Sequence, residues 1–304
     1  MERLNFRVEY NKWLRLFDSE DKNSILTQVI NMLFETLIYK VILKARSIAP
    51  KNSKGKIKLN GAVHYLIDKC FFNCQLMTIR RLTDKGGDVI SLHKLLNQMK
   101  GNCKYLTREN YFKVFEEQGY EYDYSETREK QNEYIDKNSR MGEVIVVPEE
   151  LDWVKSEKLH SDFDKLSKSG PKNRGPGDII DHSIFDKLLS ELKSCENLRE
   201  HVDHFIAHSL KPGKIEKLDE GSLRVNFENL WRAQQAVCKV TKFIYLYLLF
   251  RKDHELLPIP HGSFLQYIED PLISKEGKKE LRIEEEVFRD EIRSWKIEIK
   301  DICK

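Results

Sequence analysis

Glycine and proline are scarce, at 14 and 8 of 304 residues. No glycine-rich loop follows a strand pattern, so a P-loop or dinucleotide fingerprint is excluded. Alternating apolar and polar stretches are essentially missing, which removes sandwiches and barrels and leaves an all-α class. No internal repeat is present. The six cysteines, Cys70, Cys74, Cys103, Cys195, Cys238 and Cys303, stand apart with no C-x-x-C among them. A disulfide scaffold is therefore not expected. Neither charge sign dominates: 52 basic residues face 49 acidic ones, for a net charge of +3. Such a balance neither demands nor excludes nucleic acid. No segment reaches the roughly 20 apolar residues of a membrane span. The best candidate, 237–250, holds about fourteen residues and includes Lys239 and Lys242. The opening MERLNFRVEY has no apolar signal core. Together these absences describe a cytoplasmic chain with reduced thiols and no membrane partner.

What is present is globular and helical. Hydrophobic residues make up 40% and charged ones 33%, and 15 Phe with 12 Tyr can fill a core. The length allows one large or two ordinary domains. Residues 3–19 place Phe6, Trp13, Leu14 and Phe17 on one helical face. In 24–46, Ile25, Val29, Met32, Leu33, Leu37, Val41 and Ile42 recur at helical spacing, and Ile30, Phe34 and Ile38 add a second strip. That pattern predicts a helix buried between neighbours. In 59–83 a stripe of Val63, Ile67, Cys70, Cys74 and Met77 reads as core and continues to Arg81. Cys70 and Cys74 share a metal-compatible spacing but read as core thiols among Phe71, Phe72 and Leu76. Gly86-Gly87 marks a turn, Ser91 a cap, and 91–99 a short helix.

From 101 to 178 the chain turns polar and tyrosine-rich, with a helix expected over 149–168 and a loop at SGPKNRGPGD. We read 101–178 as a partly helical insertion or cap. A helix is predicted over 179–210, another over 222–252, and a charged one over 282–302 within a C-terminal extension, 270–304.

The segment 188–210, LLSELKSCENLREHVDHFIAHSL, concentrates Arg199, His201, Asp203, His204 and His208. On an ideal helix Leu192, Cys195, Val202 and Ile206 lie within about 40° of Leu188 and form the core stripe with it. His201, His204 and His208 lie within about 60° of one another on the other side. Arg199 and Asp203, four residues apart, fall near the core stripe, and an unbroken helix pairs them. Three readings compete. The first is a solvated polar face with a structural Arg199–Asp203 pair. The second is a metal site using His204 and His208 with His201, although no carboxylate or thiol joins it and H-E-x-x-H is absent. The third is acid–base chemistry on a phosphate, as in RNA cleavage by 2′-hydroxyl attack, which needs a base, an acid and a cation.

The segment REHVDHFIAHSL, with its Ala207-His208 pair, resembles the signature helix of the HEPN superfamily (higher eukaryotes and prokaryotes nucleotide-binding domains). IRRLTDKGGDVISLHKLL, 79–96, is similar to the Arg-Leu-x-Asp … Ser-Leu-x-x-Leu-Leu segment of that superfamily's abortive-infection U-type subgroup. The resemblance covers roughly 20–252. It implies a single all-α, HEPN-like helical bundle over 1–304. It also implies metal-independent RNA cleavage with no cofactor, homodimerisation, and a role as a toxin in phage defence with an antitoxin or defence-system partner. His208 would serve as base or acid, with His204, Arg199 and Asp203 beside it and Arg80, Arg81 and His201 as RNA-phosphate contacts.

The sequence departs from the pattern at the arginine. Val202 stands where the superfamily's arginine usually lies, and Arg199 is nine residues before His208. A regular helix puts those two on opposite faces. The remaining options are a bent helix, an arginine supplied by Arg80 or Arg81 or by a second subunit, or a decayed site. The last option leaves a non-catalytic interaction module. Arg81 with Asp84 reads as a buried ion pair or a phosphate contact. Arg251 and His254 read as helix-end charges, and Lys51, Lys54, Lys56 and Lys58 as a solvated basic loop. The tyrosines of 120–134 read as packing or base-stacking groups.

Overall fold

A computed structural model describes residues 2–49, 60–115, 124–138, 152–206 and 225–251, with three further helical positions, Ile283, Val287 and Asp290. Its helices are α1 (Glu2–Phe17), α2 (Ile25–Ile48), α3 (Gly61–Leu82), α4 (Leu92–Gly101), α5 (Arg108–Phe115), α6 (Tyr124–Asn138), α7 (Asp152–Ser167), α8 (His182–Glu191), α9 (Glu196–His201) and α10 (Phe227–Phe243). Among the described residues the only β-type pairing is an isolated antiparallel bridge between Thr107 and Ile179. The expected all-α class is the one observed. The chain divides into Met1–Pro258, which carries all ten helices, and Ile259–Lys304. Most of the helix expected over 282–302 lies outside the described residues, as do the basic loop at 51–58 and His254.

Helix starts follow local capping chemistry. Ser24 caps α2 by accepting from the Thr27 N–H, and Asn60 caps α3 by accepting from Ala62 and Val63. Ser91 caps α4 by accepting from the Lys94 N–H, and its own hydroxyl donates to the Asp84 carbonyl at 2.7 Å. Asn226 and Asn229 cap α10 reciprocally.

The core is a single cluster fed from α1 to α5 and from α7 to α10. Phe6, Trp13 and Phe17 enter it from α1, and Ile25, Val29 and Met32 from α2. Cys103, Leu106, Tyr111, Phe112, Phe163 and Leu166 enter from the stretch 101–178, so its described residues are packed into the bundle itself. Across the middle, α2, α3 and α10 share a buried amide network. The Gln234 Nε2 donates to Gln75 Oε1 at 2.6 Å and to Thr36 Oγ1 at 2.9 Å. Gln75 in turn donates to Glu35 at 2.7 Å.

That network corrects the sequence reading of α3. Its buried face is Gln75, Leu76, Thr78, Ile79 and Leu82. Much of the apolar stripe expected in the core lies on the surface instead: Val63 is 44% exposed and Cys70 and Cys74 are both exposed, while Ile67 is half-buried and Met77 packs against the core. Apolar spacing alone fixed the wrong face because the amides of Gln75 and Gln234 satisfy each other inside. Helix α2 is likewise half of what was expected. Ile25, Val29, Met32, Thr36 and Tyr39 are buried, whereas Ile30, Phe34, Ile38 and Val41 are half-buried and Leu43 and Ile48 exposed. Over an 18-residue window α2 reaches a mean hydropathy of 1.4, long and apolar enough to cross a membrane by length and composition. The sequence reading had given 237–250 as the best such candidate.

The predicted helix over 179–210 is not one helix. Ile180 donates to the Leu106 carbonyl, and Arg108 donates to that of Asp178, so the chain is extended there. Asp181 then caps α8 by accepting from Ser183 at 2.7 Å. A 3₁₀ turn, Leu192–Cys195, joins α8 to α9, and a π-helical turn, Val202–Ile206, follows α9. The buried residues Leu192, Cys195 and Leu198 recur every third residue. A 3₁₀ turn at three residues per turn keeps them on one face, and the wider π turn restores the phase for Val202 and Ile206. The helix expected over 222–252 is shortened in the same way. It ends in a π-helical turn, Ile244–Leu248, closed by the buried Phe250 at φ 55°. The Phe250 ring packs edge-on against Tyr111 with centroids 4.3 Å apart, and this burial offsets the cost of the left-handed backbone.

Arg108 is fully buried at the start of α5 and fastens the crossover. Its guanidinium donates to Asp178 at 2.8 Å, Asp164 at 2.7 Å and Ser169 at 2.6 Å, and to the His160 carbonyl at 3.1 Å. Arg174 adds a second fork on Asp164 and Glu157. We predict that Arg108→Lys, which cannot reproduce the planar fork, lowers stability by about 3 kcal/mol in urea unfolding.

His160 stacks on Phe112 at 3.8 Å within this cluster. Burial, then the cations of Arg108 and Arg174, push its pKa down to about 3. In the unfolded chain the value returns to about 6.5. The unfolded state therefore binds the extra proton below that pH, and stability is lost as pH falls from 6.5 toward 3. Unfolding free energies should drop by about 2 kcal/mol between pH 7 and pH 5 on this account. The drop should shrink in His160→Gln; an equal drop in the variant would show that other groups cause it.

Candidate functional site

The end of α3 runs antiparallel to α9, and two ion pairs tie them together. Arg80 Nε donates to Asp203 Oδ1 at 2.7 Å, and Lys85 Nζ meets Glu196 Oε1 at 2.6 Å. The second nitrogen of Arg80, Nη1, donates to Asp84 at 2.9 Å. The hydrogen bond to Asp203, aided by the charges of Asp203 and Asp84, raises the Arg80 pKa above its ordinary value.

This arrangement replaces the pairing expected from the helical wheel. Arg199 and Asp203 do share a face, but Asp203 lies in the π-helical turn and is taken by Arg80. Among the described residues no side chain hydrogen-bonds or ion-pairs with Arg199. Its charge acts on Glu196 and His93. The Arg81–Asp84 pair is also corrected: Arg81 is exposed and donates only to the Thr78 hydroxyl, while Asp84 pairs with Arg80. Turning α3 by the offset between its expected and observed core faces brings Arg80, not Arg81, against α9.

Of the remaining members of the constellation, only His201 has a described side chain. His201 is half-buried at the end of α9. His204 has its backbone in the π-helical turn, and its side chain lies outside the described residues. His208 lies outside the described residues altogether. Among the described residues, no group of three His, Cys, Asp or Glu side chains is placed to hold a metal.

His93 is the residue the sequence reading passed over. It stands in the first turn of α4, half-buried, with Lys85, Arg199 and Glu196 around it. Burial, then Lys85 and Arg199, lower its pKa, and Glu196 opposes them. A lone histidine in a leucine-rich helix carries no sequence signal of this neighbourhood. Groups distant in the chain, Lys85 after α3 and Glu196 and Arg199 on α9, create it by charge.

Chemically, the strip between the two ion pairs presents guanidinium groups, an ammonium and an uncharged imidazole, with carboxylates neutralising part of the charge. It can hold an anion and exchange a proton. A double-mutant cycle on Arg80→Gln and Asp203→Asn should give a coupling of about 1 kcal/mol or less, since both side chains remain about one-third exposed. Arg199→Gln with Asp203→Asn should be additive, and coupling in that pair instead would restore the wheel-based pairing.

Comparison with known proteins gives no relative: no family model, curated protein or solved structure matches the chain.

Proposed function

We propose that the protein is a cytoplasmic, HEPN-like, metal-independent endoribonuclease that acts as a growth-arresting toxin in defence against phage. The observation that carries this reading is the Arg80–Asp203 contact. It brings a guanidinium from α3 to the segment that leads into Ala207-His208, the segment whose own arginine position is filled by Val202. In this reading Arg80 would stand in for the arginine that the resemblance requires.

In this reading one imidazole takes the proton of a ribose 2′-hydroxyl, and the oxygen attacks the adjacent phosphorus. A second group returns a proton to the departing 5′-oxygen, leaving a 2′,3′-cyclic phosphate. His208 fills one role and His204 the other, with His201 and the arginines offsetting charge on the phosphorane. No cofactor is needed.

The exposed α3 stripe favours a second reading, a non-catalytic interaction module. Val63, Ile67, Cys70, Cys74 and Met77 recur at alternating spacings of four and three, the seam of a helix that packs on another helix. Val63, Cys70 and Cys74 are exposed, a surface available to a second copy or to an antitoxin.

Total RNA incubated with the full chain in EDTA should be cleaved, and His208→Ala should reduce the rate by at least about a hundredfold. A folded protein that leaves RNA intact, alone and with its partners, would decide for the interaction module.

A further inference from the structure

We infer that Arg199, His93 and Lys85 form an anion-binding notch that takes one phosphodiester of a single-stranded RNA, beside the strip held by Arg80 and Asp203. The inference rests on the ribonuclease reading for its ligand but not for its geometry.

Three observations converge on the notch. First, Arg199 is a half-buried guanidinium whose donors meet no described side chain. Arginine donors are rarely left without acceptors once water is partly excluded, and a planar guanidinium matches the oxygens of a phosphate. Arg199 lies one turn after Glu196 on α9 and one turn before Asp203, so along the chain it stands between the two ion pairs. Second, both carboxylates on that face are already engaged, Asp203 by Arg80 at 2.7 Å and Glu196 by Lys85 at 2.6 Å. Neither is therefore the acceptor of Arg199. Third, His93 comes from another element, and Lys85 and Arg199 act on it by charge. Its backbone position is fixed by the Ser91 cap, and Ser91 is itself bonded to the last turn region of α3 through the Asp84 carbonyl.

The charges around the notch favour an anion. Lys85 and Arg199 face His93, with Glu196 the one opposing carboxylate. Lys193 adds a further cation near Glu196. His93 also sits in the first turn of a ten-residue helix, where the backbone dipole is positive. Burial first and then these cations lower the His93 pKa; the imidazole can donate an N–H to a phosphate oxygen and gains affinity for a proton when the anion arrives.

The test uses the full chain and a fluorescein-labelled oligouridylate of about twelve nucleotides, read by anisotropy over a range of salt. Arg199→Gln and His93→Gln should each weaken binding about tenfold. Arg199→Gln should also reduce the slope of log affinity against log salt by about 0.7, whereas Arg199→Lys retains the slope. A merely structural role would lower thermal stability without changing the slope in Arg199→Gln alone. Inorganic phosphate should shift the His93 imidazole resonances and compete with the oligonucleotide. Wild-type affinity and slope in both Gln variants would overturn the notch. So would phosphate binding at His93 with no measurable RNA binding, which would assign the site to a free phosphate compound. If the variants lose binding while wild-type protein cleaves nothing in EDTA, the notch stands and the nuclease reading fails.

Discussion

The buried guanidinium of Arg108 is the constraint on which the placement of the candidate site depends. Burying an ion costs several kcal/mol unless its donors are met. Here Asp178, Asp164, Ser169 and the His160 carbonyl meet them. Two of those partners come from α7 and two from the loop after it. The bonds close the stretch 108–178 on itself and bring Thr107 beside Ile179. That bridge sets where the chain can begin to coil again, at the Asp181 cap. The start of α8 sets the phase of everything up to Ile206. A charge far from the site in sequence thus decides which side chains of α9 face α3.

The second constraint is helical phase. Leu192, Cys195 and Leu198 must all enter the core, and their spacing of three does not fit a regular α-helix. The chain tightens into a 3₁₀ turn and then widens into a π turn. The widening falls at Asp203, so that Asp203 reaches Arg80 while Arg199, one turn earlier, meets only Glu196 and His93 by charge. An irregularity needed for packing therefore separates two groups that an ideal helix would have paired. Such turns are common where a helix carries function, because they free polar groups from their nearest partners.

The same logic explains α3. A helix with one fully polar and one fully apolar face leaves no doubt about its inside. Helix α3 has apolar residues on more than one side, and its interior is chosen by the hydrogen bonds among Gln75, Gln234 and Thr36. Once those amides are buried, the stripe through Val63 and Cys74 is turned outward and Arg80 is turned toward α9.

The sequence by itself made legible the all-α class, the turn at Gly86-Gly87, the cap at Ser91, and the burial of Trp13, Phe17, Ile25 and Val29. These rest on local hydrogen bonding and on periodicity within one helix, which adjacent residues suffice to encode. It also placed Arg199, Asp203 and His201 in one short segment. Only the tertiary structure decided which α3 face is inside, which arginine meets Asp203, and that His93 joins Arg199. Each of these depends on groups that are distant in the chain and on which buried polar atoms find partners. A single-helix pattern holds no information about either.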